Sequence, residues 1–205
     1  MQKISATASK DVTFTAKTSK QGNIVNVEPI RDLDDIRNMR EALRMSKENS
    51  ARNELLFTFG INTGLRIGDI VKIRIEDVRG KTQMTISEGK TKKKRVVHLY
   101  DLMDDIAQYL DGKPSSGYLF ASRKGDRPIS TTQAYRILTE AGRMIGRDDI
   151  GTHSLRKTFG YHYYQRTKDI ATLMMIFNHG SQDVTKRYIG ITDELIGESL
   201  RGFRL

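Results

Sequence analysis

Thr152-His153-Ser154-Leu155-Arg156 opens a stretch that passes through Asn178-His179-Gly180 and ends at Lys186-Arg187-Tyr188. His153 and Arg156 stand three positions apart in a helix-friendly segment, so they share one face of that helix and point at one object. His179 follows Arg156 by 23 positions, and Tyr188 follows His179 by nine. Two imidazoles, a guanidinium and a phenol suit a phosphodiester. The guanidinium grips phosphate oxygens in a bidentate fork, the imidazoles donate hydrogen bonds or move protons, and the phenol can attack phosphorus. Singly, each residue has an ordinary explanation: a capping His, a surface Arg, a packed Tyr. The ordered set points to a site, and the rest of the chain must supply its missing parts.

The 205 residues suffice for one domain with a full core, or one domain plus a tail. Apolar residues make up 37% and charged residues 29%, the balance of a water-exposed globular protein. Lys and Arg number 35 against 25 acids, a net charge of +10. Such an excess points to a polyanionic partner, nucleic acid first and a membrane surface second. The absence of cysteine excludes a disulfide scaffold, a Cys nucleophile and a Cys-based metal site. No apolar run approaches the ~18–20 residues needed to span a bilayer. Residues 1–21 lack the apolar centre of a signal peptide, and the expected compartment is the cytoplasm.

Upstream of the opening stretch, residues 1–28 are rich in Ser, Thr, Ala and Lys and read as a flexible basic arm. Apolar spacing predicts helices over about 31–47 and 51–62. Gly64 permits a sharp turn into a third, largely buried helix that begins with Leu65-Arg66-Ile67. A guanidinium at that place needs an anion, because an unpaired buried charge is costly. Asp69, Glu76 or a bound phosphate would serve. β-branched clusters at 73–78, 83–87 and 95–98 predict a three-stranded antiparallel sheet. The turn before the last strand carries Lys90, Lys92, Lys93, Lys94 and Arg95. It suits a solvated hairpin tip or a groove-entering one, with one lysine at its base able to reach a phosphate. Further helices are expected from Asp101, from a Ser130 cap to about Ile145 carrying Arg136 and Arg143, over His153–Arg166 and Ile170–Phe177, and up to Tyr188. Arg123 and Lys124 lie in a polar loop. An amphipathic tail, residues 192–205, completes the chain as a possible docking element.

Four motifs together resemble the catalytic domain of the tyrosine recombinases, or phage integrases: Thr63-Gly64-Leu65-Arg66-Ile67-Gly68-Asp69-Ile70; the hairpin Gly89-Lys90-Thr91-Lys92 leading to Arg95-Val96-Val97-His98-Leu99; His153-Ser154-Leu155-Arg156; and Asn178-His179-Gly180 with Tyr188. The resemblance covers about residues 29–200, with a catalytic domain over 29–191. It implies an α+β, mainly α fold with a small three-stranded antiparallel sheet. It implies that Arg66 and Arg156 clamp the scissile phosphate, that Lys90 protonates the leaving 5′ oxygen, and that His153 and His179 assist proton transfer and charge stabilisation. Tyr188 would form a 3′-phosphotyrosyl link. Two guanidiniums can stabilise phosphoryl transfer without a metal, and a covalent link conserves the diester's free energy, so neither metal nor ATP nor any other cofactor is expected. The expected partners are double-stranded DNA, met by Lys92, Lys93, Lys94, Arg95, Arg123, Lys124, Arg136 and Arg143, and further copies of the chain: a tetramer on DNA, a monomer when free.

The chain departs from the family pattern in three places. Only 28 residues precede Pro29, too few for the helical DNA-binding domain that usually comes first. Phe177-Asn178 replaces the usual Leu-Gly before the last histidine, a change that Asn's tolerance of left-handed backbone permits. His98 stands where a proline often ends its strand and takes a packing or edge role. Tyr161, His162, Tyr163 and Tyr164 fall outside the family interval and read as structural. The leading expectation is a small recombinase of mobile-element type. The alternatives are a DNA-binding regulator on the same scaffold and a type IB topoisomerase-like nicking and resealing activity.

Overall fold

The computed structural model describes residues 27–46, 48–89, 93–124, 126–191, 197 and 200–204. The expected arm up to residue 26, Lys90 and Lys92 in the hairpin turn, and most of the 192–205 tail lie outside the described residues.

A buried helix, α2 (Ser50–Thr63), sits at the centre. It is buried on most of its sides, by Leu55, Leu56, Phe57 and Phe59 and also by Arg52, Asn53, Thr58 and Thr63, so apolar and polar residues do not separate onto two faces. On one side it meets α1 (Leu33–Arg44), started by an Asp32 side chain that accepts the Asp34 N–H. On the other it meets α7 (Thr152–Thr167). The approach to α7 is close: a Cβ on Gly60 would lie 3.0 Å from the Leu155 Cβ. Between α2 and the next helices come α3 (Ile67–Ile70) and α4 (Ile75–Val78), each one turn long. The hairpin β1 (Gln83–Ser87) and β2 (Lys94–His98) follows, paired antiparallel from Gln83 opposite His98 to Ser87 opposite Lys94. A 3₁₀ turn over Tyr100–Leu102 leads into α5 (Met103–Leu110), and Ser130 caps α6 (Thr131–Met144) through the Gln133 N–H. The chain then folds α8 (Ile170–Phe177) and α9 (Gln182–Tyr188) against the second half of α7.

The fold is α+β and mainly α, as the sequence predicts, but the sheet differs in one strand. Among the described residues it has two strands rather than three. The segment 73–78, whose β-branched residues suggested a strand, turns into α4 instead. Ile75 and Val78 satisfy an i,i+3 pattern as well as a β one, and both are buried. The Asp77 carboxylate accepts the Arg74 N–H and starts the turn. What remains extended pairs elsewhere: Ile75 N–H donates to Gly117 O at 2.8 Å and Leu119 N–H to Ile73 O at 2.9 Å, around an isolated bridge between Arg74 and Tyr118. His98 takes an edge place, stacked on Tyr100 with ring centroids 5.4 Å apart.

Residues 27–30, where the expected arm meets the domain, are docked. Ile30 is fully buried and its N–H donates to Thr158 Oγ1. The Lys157 ammonium donates to Val27 O. His162 lies 2.9 Å from Ile30 O, which gives it the structural role expected.

Candidate active site

The C-terminal end of α2, the N-terminal turn of α7 and the α8–α9 turn converge at one place, and each delivers part of the predicted set. Gly64 ends α2 with φ +60°, a left-handed conformation that favours glycine. Arg66 follows in extended backbone at the start of α3. It shares a cleft of about 340 Å³ with Ile67, Gly68, Asp69, Lys72, Gly89, Thr152, His153 and Arg156. Three predicted site residues, 66, 153 and 156, therefore line one cavity.

Arg156 is 3% exposed. Its Nη1 donates to Gly64 O and its Nη2 to Phe177 O at 2.9 Å, while its guanidinium lies 4.2 Å from the centre of the Phe177 ring. One side chain thus ties the last carbonyls of α2 and α8 to α7, and two of its five N–H donors serve the fold. Burial, with Arg66 and Arg95 adding repulsion, lowers its pKa to about 10, which leaves it charged at neutral pH.

Tyr188 ends α9 half-buried, its ring edge-on to Phe177 at 5.5 Å and to His179 at 5.2 Å. Its hydroxyl lies 3.4 Å from His153 Nδ1. Burial raises the phenol's pKa, and the charges of Arg156 and Arg66 oppose that rise. His179 follows Asn178, which holds the left-handed turn with φ +51°. Burial, helped by Arg156 and Arg66, pushes His179 down to about 4, so the ring is neutral at pH 7. Its Nδ1 lies 3.0 Å from Thr185 Oγ1, and that hydroxyl donates its single proton to Ser181 O at 3.1 Å. The Thr185 oxygen then accepts from Nδ1–H, and Nε2 is left as the basic nitrogen.

The hairpin joins this assembly from the side. Lys93 Nζ donates to Asn178 Oδ1 at 2.7 Å, so one hairpin lysine reaches the histidine turn. Arg95, grouped by sequence with the DNA contacts, points inward: its side chain is 18% exposed and its Nη2 donates to Thr63 O at 2.9 Å. Lys94, Arg136 and Arg143 are exposed. Arg123 and Lys124 are exposed too, but Arg123 pairs with Glu48 at 2.6 Å, beside the N-terminal end of α2. At 1.5 Å per residue that end lies roughly 20 Å from the cleft.

Several contributors escaped the sequence. Arg66 pairs with Glu88 at 2.8 Å and with neither Asp69 nor Glu76. Asp69 instead accepts the Gly89 N–H at 2.9 Å and pins the base of the hairpin. Lys72 adds a cation to the cleft wall. The lone acid at the head of a run of five basic residues was the available signal for Glu88. Nothing in the pattern marked Phe177 as the ring that underlies Arg156, His179 and Tyr188 together. Among the described residues no group of three or more His, Asp or Glu is placed to hold a metal ion, and no helix is long and apolar enough to cross a membrane.

The phage integrase family model matches residues 32–194, most of the chain. The chain belongs to that family. It is 47% identical over 169 residues to the probable integrase/recombinase YoeC of Bacillus subtilis, covering 82% of this chain and 92% of YoeC. It is 28% identical over 167 residues to tyrosine recombinase XerA of Pyrococcus furiosus, covering 79% of this chain and 58% of that protein. Among solved structures, a XerA recombinase matches with TM-score 0.69 at 22% identity, covering 87% of this chain and 65% of that one. XerH bound to palindromic difH substrate in a post-cleavage complex matches with TM-score 0.65 at 20% identity, covering 85% and 52%. The fold is that of the tyrosine-recombinase catalytic domain. The chain spans nearly all of YoeC but only about three fifths of XerA.

Proposed function

We propose that this family member is a site-specific recombinase that cleaves and rejoins double-stranded DNA through a 3′-phosphotyrosyl intermediate. The observation that carries the proposal is the convergence of Arg66, His153 and Arg156 on one cleft, with His153 Nδ1 3.4 Å from the Tyr188 hydroxyl. In the first step the Tyr188 oxygen bonds to the scissile phosphorus and the bond from phosphorus to the 5′ oxygen breaks. His153 takes the phenol proton. A hairpin lysine, Lys90 by its motif position, supplies a proton to the 5′ oxygen. Arg66 and Arg156 bind the non-bridging oxygens, where charge gathers in the transition state. The phosphorus remains a diester throughout, so resealing needs no ATP, and the guanidiniums fill the role that a metal fills elsewhere. XerH is named as bound to its difH substrate; by likeness the partner here is duplex DNA, on which several copies of the chain assemble inside the cytoplasm.

A duplex with a nick just 3′ of a candidate cleavage site traps the intermediate, because the short fragment diffuses away. A covalent protein–DNA adduct that disappears in Tyr188→Phe is the expected result. Tight, specific binding with no adduct would overturn the proposal and leave a DNA-binding regulator. Adduct formation and supercoil relaxation without exchange between two duplexes would identify a topoisomerase-like activity instead.

A further inference from the structure

We propose that Glu88 is a positioning residue that fixes the Arg66 guanidinium for phosphate binding. The inference rests on the recombinase function proposed above. Glu88 is 3% exposed, yet it stands at the end of β1 next to a strongly basic turn. Its Oε2 accepts from Arg66 Nη1 at 2.8 Å, and its Oε1 lies 3.9 Å from Arg95 Nη1. The backbone that presents it is held on both sides: Glu88 N–H donates to Lys93 O at 3.0 Å, and Gly89 N–H donates to the Asp69 carboxylate at 2.9 Å.

Three guanidiniums crowd this place. Arg95 donates to Thr63 O and Arg156 to Gly64 O, so both are fixed by carbonyls of the α2–α3 turn. Arg66 is anchored differently, through the Glu88 carboxylate. Repulsion from Arg95 and Arg156 favours a swing of the Arg66 side chain toward solvent, which a carboxylate on a rigid strand end opposes. Glu88 engages Nη1, one corner of a group with five donors, so the fork retains N–H groups for phosphate oxygens. Because β1 also leads into the lysine-bearing turn, Glu88 couples hairpin placement to the phosphate clamp.

Single-turnover cleavage of the nicked duplex, with the dissociation constant measured separately, tests this. For Glu88→Ala we expect adduct formation to slow about 10–100-fold, the scale of loss for an ångström-size displacement, with the dissociation constant changed less than about 3-fold. Glu88→Gln keeps an oxygen that accepts from Arg66 and should recover most of the rate. Melting curves identify any variant that fails to fold; if Glu88→Ala does so, Glu88→Gln decides, and its cleavage at less than about a tenth of the wild-type rate would overturn positioning. A wild-type rate in Glu88→Ala, or a loss confined to affinity, would overturn the assignment. Equal slowing in folded Ala and Gln variants would assign the effect to charge and overturn positioning. A wild-type chain that forms no Tyr188-dependent adduct would overturn this inference together with the recombinase function, whereas a reactive wild type beside an equally reactive Glu88→Ala overturns this inference alone.

Discussion

At the scale of single residues, Arg156 holds three elements of the fold together and, in the proposed function, also binds the phosphate. Its two carbonyl partners, Gly64 O and Phe177 O, are at helix ends where backbone acceptors lack intrahelical donors. Arg156→Lys keeps the charge but loses the fork, so one carbonyl loses its donor. We expect a stability loss of about 1–3 kcal/mol by chemical denaturation and a fall in adduct formation of about 10²–10³-fold, the scale for a lost transition-state donor. A variant as active as wild type would remove Arg156 from the clamp. His179 gives a pH prediction. Its folded pKa of about 4 lies below the ordinary 6.5, so between these values the unfolded chain binds the extra proton. Its contribution to stability is therefore present above about pH 6.5 and is lost as pH falls toward 4. Melting temperature followed over that window should drop in the wild type and drop less steeply in His179→Gln. A ring-proton titration of His179 near 6.5 would contradict the depressed pKa.

At the scale of elements, the α8–α9 turn and the hairpin hold one another. Asn178 adopts left-handed backbone and gives its side-chain oxygen to Lys93. Asn178→Gly keeps the backbone and loses only the contact, while Asn178→Ala loses the contact and adds about 1 kcal/mol of backbone strain. The Ala variant should melt below the Gly variant; the reverse order would mean the turn is set by something else. The α2–α7 crossing is equally specific. Gly60→Ala drives a methyl into Leu155 and should cost about 1–3 kcal/mol as overpacking, read from denaturant midpoints. Because α7 carries His153 and Arg156, this variant should also slow adduct formation without altering any charged group.

At the scale of the whole molecule, the net charge of +10 is divided between an inward cluster and an outward surface. Arg66 and Arg156 line the cleft and Arg95 turns inward to Thr63 O and Glu88, whereas Lys94, Arg136 and Arg143 face solvent. Replacing Arg136 or Arg143 by Gln should weaken duplex binding across sequences and lower the salt slope by about 1 for each lost phosphate contact. The rate of adduct formation at saturating DNA should be unchanged. An unaltered slope would remove that residue from the DNA face. Arg123, held by Glu48 just before the N-terminal end of α2, would contact only a duplex that runs past that end of the helix.

Order and spacing along the chain determined the family and pointed to the residues of the proposed site. His153 and Arg156 share a helix face by local geometry, Gly64 and Asn178 mark turns by their backbone tolerance, and the interval from His179 to Tyr188 is one turn plus one short helix. These are local properties, and local properties are written in sequence. The missing third strand was not, because Ile73, Ile75 and Val78 fit a strand and a one-turn helix alike, and the choice fell to the Asp77 cap and to pairing with residues 117–119. Nor was the inward turn of Arg95, since an arginine in a basic hairpin carries no mark of which way its strand faces. The partner of Arg66 was decided last of all. Asp69 is three residues away and Glu88 is 22, but the short helix α3 turns Asp69 toward Gly89, and the β1 end brings Glu88 to the guanidinium. Long-range electrostatic pairing depends on where two backbones are held, and only the packed fold holds them.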